Sequence, residues 1–88
     1  MPLSTNPAPR YPASLRSAGI HGSVFARFVV DTIGRVRMET VKVDASDHPL
    51  FSEAVINALR RSRYTPAELR GRKVPQLVMQ PFVFVMRP

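Results

Sequence analysis

The stretch Gly22-Ser23-Val24-Phe25-Ala26-Arg27-Phe28-Val29-Val30, followed by Asp31-Thr32-Ile33-Gly34 and Arg35-Val36, decides the fold. Its first part has period two. Val24, Ala26, Phe28 and Val30 share one face, with Phe25, Arg27 and Val29 on the other, and the more uniformly apolar first set is the core candidate. Asp31 is a turn former and Gly34 tolerates positive φ, so the chain reverses there and the second run pairs back as a hairpin. In that second run Val36 and Met38 have one parity whereas Val41 and Val43 have the other. A regular strand cannot place all four on one face, which predicts a β-bulge near Arg37 to Thr40.

Downstream, Asp44 to His48 is polar, and Pro49 suits a first helical turn capped by Asp47 or His48. Phe51, Ala54, Val55, Ala58 and Leu59 then recur at helical spacing, leaving Glu53, Asn57, Arg60 and Arg61 on the solvent side. Thr65-Pro66 ends the helix, and Tyr64 continues its buried face with the hydroxyl at the rim. Ala67 to Lys73 reads as a polar loop, and Val74 to Met86 is the most hydrophobic run of the chain. Pro75 and Pro81 cannot donate to a ladder, so this last strand belongs at an edge or is bulged, with Val24 to Val30 in the middle. Upstream, Tyr11-Pro12 opens a helix of at most two turns that ends at Gly19, its small apolar face being Leu15 with Ala18. Pro2, Pro7 and Pro9 make residues 1–9 an extended linker or the tail of a spacer, with the domain spanning 10–88. The expected class is α+β: a small antiparallel three-stranded sheet, hairpin plus C-terminal edge strand, with one main helix on one face and a short N-terminal helix.

A chain of 88 residues supports one core only, since about 60–65% of the unfolded surface is buried at this size. Cysteine is absent, which excludes disulfides and thiolate metal sites. Thirteen Lys and Arg against six Asp and Glu give +7 and favour an acidic partner. The basic residues form no continuous tract and the sheet centre carries no aromatic pair for stacking, which argues against nucleic acid. Residues 1–8 contain neither a charged n-region nor an apolar h-region. Ser46, Asp47, His48 and Ser52 include hydrolase residue types, but they stand around a helix start where such residues cap, so no catalytic group is assigned. His21, His48, Asp44 and Asp47 lack metal-ligand spacing, and the glycines stand isolated at 19, 22, 34 and 71, so neither a metal nor a cofactor is expected. Two features point to binding instead: a hydrophobic last strand with nothing after it to cover its edge, and Phe25 and Val29 on the face away from the core, covered by the first helix, the N-terminal segment or a second copy.

Tyr11-Pro12, Gly22-x-Val24-x-x-x-Phe28-x-Val30, Gly34-Arg35-Val36, His48-Pro49, Ala54, Ala58, Arg60-Arg61-x-Arg63-Tyr64-x-Pro66, Gly71 and Pro81-x-x-Phe84, taken in that order, resemble the C-terminal domain of TonB-type energy transducers from about Arg10 to Val85. The resemblance implies a periplasmic domain on an inner-membrane anchor, working with an ExbB/ExbD-type motor to drive uptake of siderophore complexes or similar nutrients. It implies capture of a plug-side peptide segment of an outer-membrane TonB-dependent transporter as a strand added beside the last core strand. On this chain the contact set would be Gln76, Leu77, Val78, Met79, Gln80, Phe82 and Phe84, with Arg10 and Tyr11. A free edge also permits a homodimer through the same strand. The chain departs from the family pattern at Ala8-Pro9, where a glutamine-proline pair is frequent, and at Ser62, where tryptophan is common. A second function compatible with the same fold is that of a peptide- or cell-wall-binding domain of an envelope sensor or regulator, without force transduction.

Overall fold

The computed structural model describes residues 6–86. Its elements are α1 (Ala13–Ser17), β1 (Gly22–Val30), β2 (Val36–Ser46), α2 (Pro49–Arg61), β3 (Ala67–Leu69), β4 (Arg72–Val74) and β5 (Gln76–Phe84). The main sheet is antiparallel in the order β2-β1-β5, so the strand with the cleanest alternation is central and the strand with the internal proline is at the edge. α2 lies over β1 and β2.

β1 sends Val24, Ala26, Phe28 and Val30 into the core, each no more than 2% exposed. They meet Phe51, Val55 and Leu59 of α2, and Leu15, Tyr64 and Phe84 complete the cluster. Full burial of side chains this size stabilises by about 1.5–3 kcal/mol each, which makes this layer the main source of stability.

The hairpin turn is closed by one carboxylate. Asp31 Oδ1 accepts from the backbone N–H of Ile33 at 3.0 Å and of Arg35 at 2.9 Å, while the Gly34 N–H donates to the Asp31 carbonyl at 3.1 Å. Gly34 has φ 89°, and a side chain there would overlap the Tyr64 carbonyl oxygen. The parity break in β2 is absorbed as expected: Arg27 pairs with Lys42 but Val29 pairs with Arg37, so the register slips across Arg37 to Lys42. Thr40 fills the gap, its Oγ1 accepting from the Val29 N–H at 2.9 Å and donating to the Arg37 carbonyl at 2.6 Å. A second slip, between Phe25 and Ala26, leaves Asp44 unpaired in the ladder, free to meet Arg27 with its carboxylate 3.0 Å from the guanidinium.

α2 begins where expected. His48 caps it through Nδ1, which accepts from the Leu50 N–H at 3.0 Å, with Pro49 in the first turn. Asp47, the other capping candidate, instead receives the Ser23 N–H at 2.8 Å and ties the helix start to β1. Tyr64 is buried as expected, its hydroxyl donating to Gln80 Oε1 at 3.0 Å.

Two expectations are corrected. Ala67 to Lys73 is not a loop: β3 and β4 pair as a small second hairpin, Ala67 opposite Val74 and Leu69 opposite Arg72. Its two-residue turn has positive φ at both Arg70 (54°) and Gly71 (78°), the requirement of a type I′ turn. The hydrophobic run from Val74 is accordingly two strands, because Val74 belongs to β4 and Pro75 separates it from β5.

Of the coverings considered for Phe25 and Val29, α1 is excluded. α1 delivers Leu15 to the core side of the sheet, and Phe25 stays 38% exposed. Residues 1–5 of the expected linker, and 87–88, lie outside the described residues.

Candidate functional site

β5 offers a free edge whose chemistry follows from the register. Val29 donates its backbone N–H to Thr40 of β2, and the backbone of Ser23 exchanges bonds with Asp47 just beyond β2, its N–H reaching the side chain and its carbonyl accepting the Asp47 N–H. The odd positions of β1 therefore point their main-chain groups at β2. Main-chain direction alternates along a strand, so Gly22, Val24, Ala26, Phe28 and Val30 point theirs at β5. Their partners are Phe84, Phe82, Gln80, Val78 and Gln76, in unbroken register. What remains for the free edge is the backbone of Leu77, Met79, Pro81 and Val83. Pro81 thus stands where its missing N–H takes nothing from the sheet and removes one donor from the outer edge.

Side chains alternate with the same parity. Leu77, Met79 and Val83 are 55%, 61% and 67% exposed on the face away from α2, beside Phe25. Antiparallel sheets commonly present polar side chains to water on such a face, and β5 presents none there. On the other face Val78 and Phe82 pack against the core and Phe84 is buried, stacked on Phe51 with centroids 4.3 Å apart.

The residues expected to form the site therefore divide. Leu77 and Met79 offer both free backbone and exposed side chains; Gln76, Val78, Gln80, Phe82 and Phe84 bond inward to β1, and Phe84 is a core residue. Val83, absent from the expected set, has the same parity as Leu77 and Met79, which is the signal that could have found it.

The N-terminal segment runs across the helix side of the sheet. At one end the Asn6 side chain grips the backbone of Arg63, Nδ2 donating to the carbonyl at 2.7 Å and Oδ1 accepting the N–H at 2.6 Å. At the other, the Tyr11 ring meets Phe51 and Phe84 edge-on, both at 5.7 Å, and its hydroxyl donates to the Ile20 carbonyl. Between these anchors Ala8 and Pro9 border a shallow cleft with Phe82, Val83 and Val85. Arg10 instead faces the outer side of α2, near Ala54 and Asn57.

Around the start of α2 the hydroxyls are committed to local bonds: Ser52 Oγ donates to Ser46 Oγ at 2.7 Å and Ser46 Oγ to the His48 carbonyl at 2.9 Å. With His48 Nδ1 occupied as a cap, no nucleophile and base face each other there. No group of three or more His, Cys, Asp or Glu suited to a metal ion occurs among the described residues.

Solved structures share this overall fold. The chain resembles the solution structure of the Pseudomonas aeruginosa TonB C-terminal domain with a TM-score of 0.81 and 27% identity, covering 100% of this chain and 87% of that one. It resembles the TonB2 protein from Vibrio anguillarum with a TM-score of 0.64 and 25% identity, covering 99% and 82%. No curated protein sequence matches it significantly. The family model for the Gram-negative bacterial TonB protein C-terminal domain matches residues 7–86, and the chain belongs to that family. It is a TonB-like periplasmic domain.

Proposed function

We propose that this domain captures a plug-side peptide segment of an outer-membrane TonB-dependent transporter by strand addition at β5, and passes on force delivered from an inner-membrane motor of the ExbB/ExbD type for uptake of a siderophore-type nutrient. The observation that carries the reading is the free edge of β5, where Leu77, Met79 and Val83 present unpaired backbone beside exposed apolar side chains. Main-chain bonds supply affinity tolerant of sequence, and alternate side chains supply selectivity. Each net bond contributes on the order of 1 kcal/mol, so a five- or six-residue segment binds weakly to moderately.

Pro81 sets the register of capture. The partner carbonyl that would face its nitrogen finds no donor, so bonds fall on the flanks, with Met79 on one side and Val83 on the other. Tyr11 belongs to the same surface through the N-terminal segment, which borders the second half of β5, whereas the Arg10 side chain lies on the α2 side of that segment, away from the edge. Tyr11 acts there by holding the segment in place. The same edge provides a homodimer contact in the absence of a transporter.

The test is a backbone-amide NMR titration of the protein with peptides from the plug-side N-termini of TonB-dependent transporters of the same cell. Shifts concentrated in residues 76–84, abolished by Met79→Pro, support capture. Met79 bonds outward, so that substitution removes an edge donor and leaves the β1 ladder intact. An absence of shifts there across the peptide set sinks the reading and favours an envelope regulatory domain.

A further inference from the structure

Between α2 and the N-terminal segment runs a second concavity, lined by Arg10, Ala54, Asn57, Arg60 and Arg61 and continuing along the helix to Arg16. Glu53 is the one carboxylate on its wall. The four arginines come from three places in the chain, the N-terminal segment, α1 and the last turn of α2. Among the described residues the single ion pair within 4.0 Å is Arg27 with Asp44, so none of these guanidinium groups has an acidic partner. Helix-end stabilisation accounts for Arg60 and Arg61, which lie in the last turn of α2. It does not account for Arg10, which the fold brings to the same groove from far away in sequence.

We infer that this groove is a binding site for an acidic peptide segment, separate from the free edge of β5. Guanidinium forks match carboxylates in a bidentate geometry, and Asn57 adds an amide that can bond a peptide backbone. The site is preorganised: the Asn6 grip on Arg63 and the packing of Tyr11 fix both ends of the segment that carries Arg10. Leu50, Ala54 and Pro12 also line it and supply apolar surface suited to the methylene groups of a peptide. Nucleic acid would need a longer basic track and an open aromatic face, and Tyr11 already spends its ring on Phe51 and Phe84. The groove does not depend on strand capture, since no β5 residue lines it.

The test is a titration of the protein with a capped octapeptide alternating Glu and Ala, read by amide shifts. The expected shifts centre on Arg10, Ala54, Asn57, Arg60 and Arg61. The same peptide with Gln for Glu should give none, and raising salt from 20 to 300 mM should weaken binding by about fivefold or more. Arg10→Ala should weaken it by about threefold and the double variant R60A/R61A by about tenfold, whereas R70A/R72A on the β3–β4 hairpin should bind as the parent does. Arg10 lies outside the regular elements, so its variant remains informative even if the helix-end pair destabilises α2. Equal binding by parent and groove variants, or shifts spread over Arg70 and Arg72, would overturn the proposal. So would tighter association of the same residues with phosphatidylglycerol vesicles or inorganic phosphate than with the peptide. Transporter peptides titrated into Arg10→Ala alongside separate the two sites: edge shifts that persist while groove shifts are lost show that only the groove was disabled.

Discussion

Gly34 and Tyr64 are held backbone to backbone: the Tyr64 N–H donates to the Gly34 carbonyl at 2.8 Å, and the Tyr64 carbonyl oxygen occupies the space a Gly34 side chain would need. The tip of the first hairpin is thereby locked to the chain leaving α2. Positive φ and close approach coincide at one residue, and either alone would favour glycine. Gly34→Ala should cost about 2 kcal/mol or more, seen as a lower urea midpoint with an unchanged slope. A midpoint within error of the parent would show that the approach relaxes freely.

Asp31 carries the pH dependence of that turn. The N–H of Arg35 above all, then that of Ile33 and the charges of Arg37 and Arg35, outweigh desolvation and hold its carboxyl below the usual 3.8. A lowered folded-state pKa contributes stability that is present above the usual value and is lost as pH falls through the folded one. Asp31→Asn should therefore lower Tm at pH 7, and the gap to the parent should close below about pH 3.8. A gap independent of pH would assign the effect to geometry alone.

Tyr64 acts at the opposite end of the scale. Burial pushes its phenol above the usual 10.0, so stability is complete below that pH and falls as pH rises through the folded value. Tyr64→Phe should remove this alkaline loss. At neutral pH the bond to Gln80 is given up, a penalty of about 1 kcal/mol. Persistence of the alkaline transition in the variant would place it on another group.

Phe51, fully buried on the core face of α2, joins three parts of the molecule by stacking on Phe84 and meeting Tyr11 edge-on. Phe51→Ala should cost about 3–5 kcal/mol, a large part of the stability of so small a domain. Tyr11→Phe keeps the ring packing and loses only the hydroxyl bond to the Ile20 carbonyl, so about 1 kcal/mol is expected. Equal losses from both substitutions in chemical denaturation would refute this division of roles.

Pro81→Ala returns a donor to the outer edge without altering the ladder to β1. Affinity for a captured strand should rise by about fivefold, one bond's worth, and self-association in sedimentation should increase. Unchanged values in both would mean that neighbouring residues, and not the missing N–H, limit capture.

Periodicity made most of the fold legible. Val24 to Val30 declared the central strand, the prolines placed β5 at an edge, and the conflict in parity between Met38 and Val41 located the bulge. The β3–β4 hairpin was hidden because strands of three residues have no measurable period, and because Arg70 adopts a left-handed conformation that its side chain disfavours. At the edge, the sequence marked the strand but not its polarity. Which backbone groups of β5 face outward depends on the bonds of Ser23 and Val29 to the β2 side, and those follow from the register. The grip of Asn6 on Arg63 joins positions 57 residues apart and leaves no local pattern.

The two outer borders of the sheet are unlike. β2 carries both register slips, whereas β5 is straight over nine residues. Irregular pairing bends a strand and spoils it as a template, so addition can proceed from one side only. Were two copies to pair edge to edge through β5, both straight borders would be used up and a third copy would find none left. The irregularities of β2 would then act as a chain terminator, since a sheet with one regular border has no second from which a fibre could grow.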